Sequence, residues 1–139
     1  MGKKTIPSLI RVHKWEVDEK RQALARLQDA QDKLIEARKK QDKELETEKK
    51  AALQNPEQSM TFGAYVERYL QKKDELEKMI ADLQNEINAA RDDLADAFRE
   101  LKVYEVLQEQ HEQAEKLEND RKEQKYLDEI AQKNKMPAE

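Results

Sequence analysis

Helix-breaking residues are confined to the two ends of this chain and to one central stretch. That stretch, LQNPEQSMTFGAY at residues 53–65, holds Pro56 and Gly63, and the few other prolines and glycines lie near the termini. Two glycines and three prolines in 139 residues supply too little turn chemistry for a sheet or for a globule of many elements. The sequence therefore predicts long helices with a single central turn.

The apolar spacing of the second half distinguishes a solvated helix from a disordered chain. Charged residues make up 42% of the chain and aromatic residues 5%, a composition that suits either state. From residue 66 onward, however, apolar residues recur at alternating spacings of three and four, with one polar exception, Lys73. The seam consists of Val66, Tyr69, Lys73, Leu76, Ile80, Leu83, Ile87, Ala90, Leu94, Ala97, Leu101 and Tyr104. Such a pattern over five heptads predicts a coiled coil.

The first half carries a weaker apolar stripe and the opposite net charge. Its stripe alternates Ala with Leu and is widened by three further apolar residues: Ala23, Leu27, Ala30, Leu34 and Ala37, with Leu24, Ile35 and Leu45. Residues 1–53 carry 14 Lys/Arg against 10 Asp/Glu, a net of +4, whereas residues 54–139 carry 13 against 21, a net of -8. Two segments of opposite sign attract each other weakly and in a salt-dependent way.

The breakers also predict the element boundaries. Pro7 suits the first turn of a helix, Asn55-Pro56 is expected to end that helix, and Ser59 or Thr61 is expected to cap the next one. We predict helix 1 at about residues 7–53, a turn at 54–60 and helix 2 at about 61–134, in a single domain 1–139.

A short connection makes two helices antiparallel neighbours. Pairing outward from the turn places residue 7 opposite about residue 108, so that helix 2 overhangs by roughly 25 residues. The predicted fold class is all-α: a two-helix antiparallel coiled-coil hairpin, with helix 2 longer and overhanging at the terminal end.

The same residues argue against several function classes. The chain has no cysteine, and the two histidines, His13 and His111, are expected to be surface imidazoles, so we expect no metal site and no cofactor. A two-helix hairpin offers no cleft and no phosphate loop or nucleophile motif is visible, which predicts a protein that is not an enzyme. The net charge of -4 argues against nucleic acid. With no membrane span and no secretory h-region, we expect a cytoplasmic protein.

Three segments could bind partners, and each has an alternative interpretation. In LIRVHKW, residues 9–15, Trp15 either packs against helix 2 near residues 97–104 or contributes to a binding surface. The near-turn aromatics either cap the tip or form a docking patch: Phe62, Tyr65 and Tyr69. The overhang either frays or binds a partner protein or a second copy through its apolar residues: Leu117, Tyr126, Leu127 and Ile130.

The order of the segments along the chain resembles that of a known protein family. SLIRVHKWEVDEKR near the start, an Ala/Leu helix, a short break and a long helix ending in KYLDEIAQKNK are similar to the flagellar FliJ family. The most specific matches are Val17-Asp18-Glu19-Lys20-Arg21 and Leu127-Asp128-Glu129-Ile130-Ala131. These are small coiled-coil proteins of the bacterial flagellar type III export apparatus. The resemblance implies a two-helix antiparallel coiled coil like the central stalk of rotary ATPases.

The resemblance also implies partners and the residues that meet them. It implies a protein that inserts into and activates the hexameric export ATPase, links it to the membrane-embedded export gate and binds export chaperones. The chain would then be a monomer when isolated, located in the cytoplasm at the inner-membrane face of the flagellar base, without inserting into the membrane. The implied ATPase-binding residues are Leu9, Ile10, Val12, His13, Trp15, Tyr126, Leu127 and Ile130. The implied gate-binding residues are Tyr65, Tyr69, Leu76 and Met79.

Two other function classes are compatible with the residues alone. One is a generic coiled-coil adaptor, and the other is a holdase-type chaperone; both would self-associate through helix 2.

Overall fold

A computed structural model describes residues 5–135 of the chain, and nearly all of this range is helical. Helix α1 spans Ile6–Gln54 and helix α2 spans Pro56–Lys135. No strand occurs among residues 5–135, and the two helices pack against each other. The prediction of an all-α helical hairpin is therefore confirmed.

The connection between the helices is a single residue, Asn55. Its backbone N–H donates to the carbonyl of Ala51 (3.0 Å) and its own carbonyl accepts from the N–H of Ser59 (3.0 Å). Its side-chain Oδ1 accepts from the N–H of Glu57 over 3.0 Å. Asn55 thus closes α1 and serves as the N-cap of α2, a position at which asparagine is among the preferred residues.

The predicted turn at residues 54–60 is therefore wrong, as is a cap at Ser59 or Thr61. The prediction treated Pro56 as a residue outside the helices. Proline is instead favoured at the first position of a helix, where its missing N–H would have no intrahelical partner and its fixed φ is already helical. The ring also disfavours helical geometry at the residue before it, and this explains why the break falls at Asn55 alone.

The described residues form two compact units, and each is considered by itself. The central unit is Val17–Asp96 and the terminal unit comprises the residues up to Glu16 and from Ala97 on. Whether the chain is a single domain remains a prediction.

Contacts in the central unit give the helices an antiparallel register. Asp42 on α1 meets Tyr69 on α2, and Gln31 meets Ile80. A step of 11 residues backward along α1, from 42 to 31, corresponds to a step of 11 forward along α2, from 69 to 80.

In the terminal unit the first turns of α1 pair with α2, and α2 then continues alone. His13 on α1 lies against Tyr104 and Glu100 on α2. Within α2 as far as residue 134, Gln108 is the last half-buried residue, and every side chain from residue 109 to residue 134 is exposed. We call residues 109–134 the overhang, as the sequence predicts.

The apolar seam of α2 faces α1 as its spacing predicts. All twelve positions of the predicted seam from Val66 to Tyr104 are buried or half-buried. The most buried residue is Ile87, with 1% of its surface exposed. Lys73, the polar exception, is half-buried, with its ammonium 5.8 Å from the centroid of the Tyr69 ring. The aliphatic stem of Lys73 covers apolar surface while its charge remains near water and an aromatic face.

The inward face of α1 is more polar than the sequence reading assumed. The predicted Ala/Leu stripe is half-buried throughout, but so are several polar residues on the same face. Together with leucines they form a second 3–4 register: Leu24, Leu27, Gln31, Leu34, Arg38, Gln41 and Leu45. A pattern based on apolar spacing identifies the leucines of this register but not Gln31, Arg38 and Gln41.

Candidate functional site

The aromatic residues near the turn lie in the central unit and are only partly exposed. Phe62 and Tyr65 stack with their ring centroids 6.3 Å apart and their planes at 14°. Partial burial, followed by the charges of Glu44 and Glu48, raises the pKa of the Tyr65 hydroxyl. Phe62 and Tyr65 are three residues apart on α2, so this stacking joins neighbouring positions of one helix and does not link α2 to α1.

Tyr69 connects the two helices through a polar contact. Its hydroxyl donates a hydrogen bond to the carboxylate Oδ1 of Asp42. That hydrogen bond, with burial and the negative charge of Asp42 in addition, raises the pKa of Tyr69 to about 12. Ionising the hydroxyl would remove the donor and set a phenolate beside a carboxylate.

The four residues that the resemblance assigns to the gate contact differ in accessibility. Tyr65 and Tyr69 are half-buried and line a shallow cavity of about 200 Å³ with Gln41, Arg68 and other polar side chains. Met79 is 51% exposed, whereas Leu76 is only 9% exposed and packs in the seam. As placed here, Leu76 supports the helix pair and has little surface with which to contact a partner.

The residues assigned to the ATPase contact on α1 fall on two faces. Leu9, Ile10 and His13 are half-buried. Val12 is 50% exposed and Trp15 is 63% exposed. Of the two interpretations of Trp15, the structure therefore favours a surface residue, because an indole packed against α2 would lose most of its exposure.

The assigned residues on α2 lie on the overhang and are all exposed. Tyr126, Leu127 and Ile130 are spaced by one and three residues, which places them on one helical face. Leu117, also exposed, lies on a different face, since nine residues separate it from Tyr126, or two and a half turns. The overhang thus presents one compact apolar cluster, which we call the tail cluster, Tyr126, Leu127 and Ile130.

A further apolar patch, which the sequence reading missed, lies on the outer face of α2 in the terminal unit. Val103 is 56% exposed, and Val106 and Leu107 are also exposed. Together with Arg99 and Lys102 they border an open, largely apolar depression. Val106 and Leu107 follow Val103 by three and four residues, a spacing that indicates a second apolar stripe. The sequence-based prediction assigned the apolar residues of this region to the seam through Leu101 and Tyr104 and included no second stripe.

Between the two helices of the terminal unit, His13 meets two carboxylates and one aromatic ring. Its Nδ1 is 3.3 Å from Glu16 Oε2 and 3.6 Å from Glu100 Oε2. The imidazole stacks on Tyr104, with centroids 4.5 Å apart and planes at 17°. Only 14% of the His13 side chain is exposed, so it is not the surface imidazole that the sequence suggested. His111 is exposed on the overhang, with Nε2 3.1 Å from Glu115 Oε1.

Within the described residues, neither α1 nor α2 contains an apolar stretch that could span a membrane.

The family model described as "Flagellar FliJ protein" matches residues 5–136 of the chain. Comparison with curated proteins and with solved structures finds no match.

Proposed function

This chain belongs to the FliJ family of flagellar proteins, and from that membership we propose that it is the stalk and coupling factor of a flagellar export ATPase. A role related to flagellar export follows from the family itself. The more specific role is a non-catalytic one: the chain inserts into the hexameric export ATPase, promotes its activity and connects it with the export gate.

The overhang is the single observation that carries this proposal. From residue 109 to residue 134 every side chain of α2 is exposed, and the overhang still presents the apolar tail cluster. Burying apolar surface on a partner is worth about 25 cal/mol per Å², and most of the stability of helices in proteins comes from such packing and not from helix propensity. A segment of this kind gains most from a surrounding protein surface, such as the inside of a ring.

The ATPase contact that we propose uses the exposed members of the assigned set. On α1 these are Val12 and Trp15, and on α2 they are the residues of the tail cluster. Leu9, Ile10 and His13 support this surface from the half-buried side. Tryptophan and tyrosine are the residue types that most often dominate binding energy at interfaces.

Coupling would arise from a mismatch of symmetry. One chain inside a ring of six subunits cannot make the same contacts with all of them. Subunits that bind the chain in one nucleotide state and not in another differ in nucleotide affinity, and this difference is a coupling free energy between the two sites. No reacting group on the chain is needed for such an effect.

We further propose that the central unit meets the export gate through Tyr65, Tyr69 and Met79, with Leu76 holding the helices together beneath them. Export chaperones are additional partners in this proposal, and the chain would work at the inner-membrane face of the flagellar base. Support for the gate contact is the partial exposure of the two tyrosines and the exposure of Met79.

The first test is removal of the overhang. The ATP hydrolysis rate and the oligomeric mass of the flagellar export ATPase would be measured with the full chain and with residues 1–108, each at about one chain per six subunits. We expect the full chain to raise both quantities and the shortened chain to raise neither, while far-UV circular dichroism shows that it remains helical. Equal stimulation by the two chains would contradict the proposal.

Point variants then locate the contact within the overhang. Tyr126→Ala combined with Ile130→Ala is expected to weaken the apparent affinity for the ATPase by about tenfold or more, as truncation of interface anchors generally does. The matched control is Gln132→Ala, since Gln132 is exposed on the opposite face of the same turns. If the control lost as much affinity as the double variant, the tail cluster would not be the contact.

A second class of function, self-association through α2, has less support. The α2 seam is covered by α1 in both units, so a second copy would have to displace α1. Sedimentation at micromolar concentration tests this alternative directly: a dimeric mass that persists in the 1–108 chain would favour it.

A further inference from the structure

The donor atoms of His13, Glu16 and Glu100 converge on one point in the terminal unit. All three ligand-type atoms lie within 4.8 Å of one another. Two of them come from adjacent turns of α1 and the third from α2. The cluster therefore joins side chains of different helices, unlike the ion pairs between neighbours on one helix that occur elsewhere, such as Lys33 with Asp29.

The separations match those between ligands of a tetrahedral ion. Zinc binds imidazole nitrogen at about 2.0–2.1 Å and carboxylate oxygen at about 2.0–2.2 Å, so neighbouring ligand atoms of a tetrahedral site are about 3.4 Å apart. His13 Nδ1 is 3.3 Å from Glu16 Oε2 and 3.6 Å from Glu100 Oε2. Both nitrogen-to-oxygen distances are thus those of neighbouring ligands in such a site, and all three atoms lie within 4.8 Å of one another.

The nitrogen that faces the carboxylates has no hydrogen-bond partner. His13 Nδ1 is shut off from solvent, and no hydrogen bond satisfies it. Glu16 Oε2 lies 3.3 Å from this nitrogen, yet the two atoms make no hydrogen bond. A buried polar atom without a partner costs free energy. An ion set between the nitrogen and the oxygens would satisfy all three groups at once.

The ring is held in place by its neighbours. Stacking on Tyr104 fixes the plane of the imidazole, and both helices restrict its movement. Glu100, with 63% of its side chain exposed, leaves the site open to an ion and to water ligands.

The geometry points to a zinc-type divalent transition-metal site formed by His13 Nδ1, Glu16 and Glu100, with water completing the coordination. Imidazole with carboxylate is a donor set that suits Zn²⁺, whereas Mg²⁺ prefers oxygen ligands and retains its waters. Because the ligands come from both helices, the ion links α1 to α2 in the terminal unit. Binding to the folded chain then stabilises that pairing by mass action.

The test uses the full chain without a histidine tag, freed of metal by a chelator that is then removed. Titration with Zn²⁺ by calorimetry is expected to show one strong site per chain, and Zn²⁺ is expected to raise Tm where the same concentration of Mg²⁺ does not. The ¹⁵N resonance of His13 Nδ1 should shift on addition of Zn²⁺. If zinc at saturating concentration left both Tm and this resonance unchanged, the assignment would be overturned.

Matched variants distinguish the cluster from other binding. Glu100→Gln keeps the size of an exposed side chain and is expected to weaken zinc binding by about tenfold or more. Mutation of residues that only hydrogen-bond to metal ligands already lowers metal affinity by that factor. His13→Gln should do the same. His111→Gln is the control, because His111 and Glu115 pair on the exposed overhang. Loss of binding with His111→Gln, or full binding by Glu100→Gln, would place the ion elsewhere and reject the site.

Discussion

The side-chain amide of Gln31 on α1 donates a hydrogen bond to the backbone carbonyl oxygen of Ile80 on α2 over 3.3 Å. The same nitrogen donates to Gln84 Oε1 over 3.0 Å, and Gln84 in turn donates to Asn88. A polar residue at a seam position of a coiled coil reduces stability and specifies register. Gln31 therefore marks the point at which the two helices of the central unit are aligned.

Replacing Gln31 with leucine tests this relationship. Gln31→Leu should raise the free energy of unfolding by about 1 kcal/mol, because apolar burial replaces a half-buried amide. Urea unfolding followed by circular dichroism measures the change. Gln71→Leu, at an exposed position of α2, is the control and should change stability by less than about 0.5 kcal/mol. A destabilised Gln31→Leu chain would show that the hydrogen bonds outweigh the apolar gain.

The hydrogen bond from Tyr69 to Asp42 predicts a loss of stability at high pH. The pKa of Tyr69 is about 12 in the folded chain, against 10.0 for an ordinary tyrosine. A raised pKa favours the protonated form, so the contribution is fully present below pH 10 and is lost as the pH rises toward 12.

Tyr69→Phe isolates that contribution from the titration of lysines and other tyrosines. The difference in unfolding free energy between the native chain and the variant should be constant up to about pH 9 and should shrink between pH 10 and 12. Urea unfolding at a series of pH values measures it. A difference that stayed constant to about pH 12 would mean that folding does not raise the pKa of Tyr69.

Ile87 is the most buried apolar residue of the seam, with 1% exposure. Ile87→Ala should lower the free energy of unfolding by about 2–4 kcal/mol through lost burial and the cavity that remains. Met79→Ala, at an exposed site on the same helix, should cost less than about 1 kcal/mol. Thermal unfolding of both variants gives the comparison, and similar losses would argue against a packed seam at Ile87.

Gly63 lies within α2 and does not need the conformational freedom of glycine. Its φ is not positive, and a Cβ added there would meet nothing within 4 Å. Gly63→Ala should therefore raise the free energy of unfolding by about 0.5–1 kcal/mol, mainly by restricting the unfolded chain. The reverse change at its exposed neighbour, Ala64→Gly, should lower it by a similar amount. A destabilised Gly63→Ala chain would contradict the open surroundings of this position.

The helices and the α2 seam were accessible from the sequence because both depend on local periodicity. Val66 to Tyr104 alternate at three and four residues, and a repeat of 3.5 can bury only one side of a helix. The same periodicity predicted the overhang, because the apolar seam of α2 ends near the residues that lie opposite the start of α1.

The turn, the inward face of α1 and the His13 cluster depend on contacts that no local pattern reveals. Pro56 can end one helix or begin the next, and only the capping bonds of Asn55 decide between these roles. In the sequence Gln31 resembles any solvated polar residue, and only the packed structure shows that it lies opposite Ile80. The sequence by itself thus determined two helices and the covered side of α2, because periodicity is local. The tertiary structure decided the register and brought His13 to Glu100, because residues far apart in the chain meet only when the helices pack.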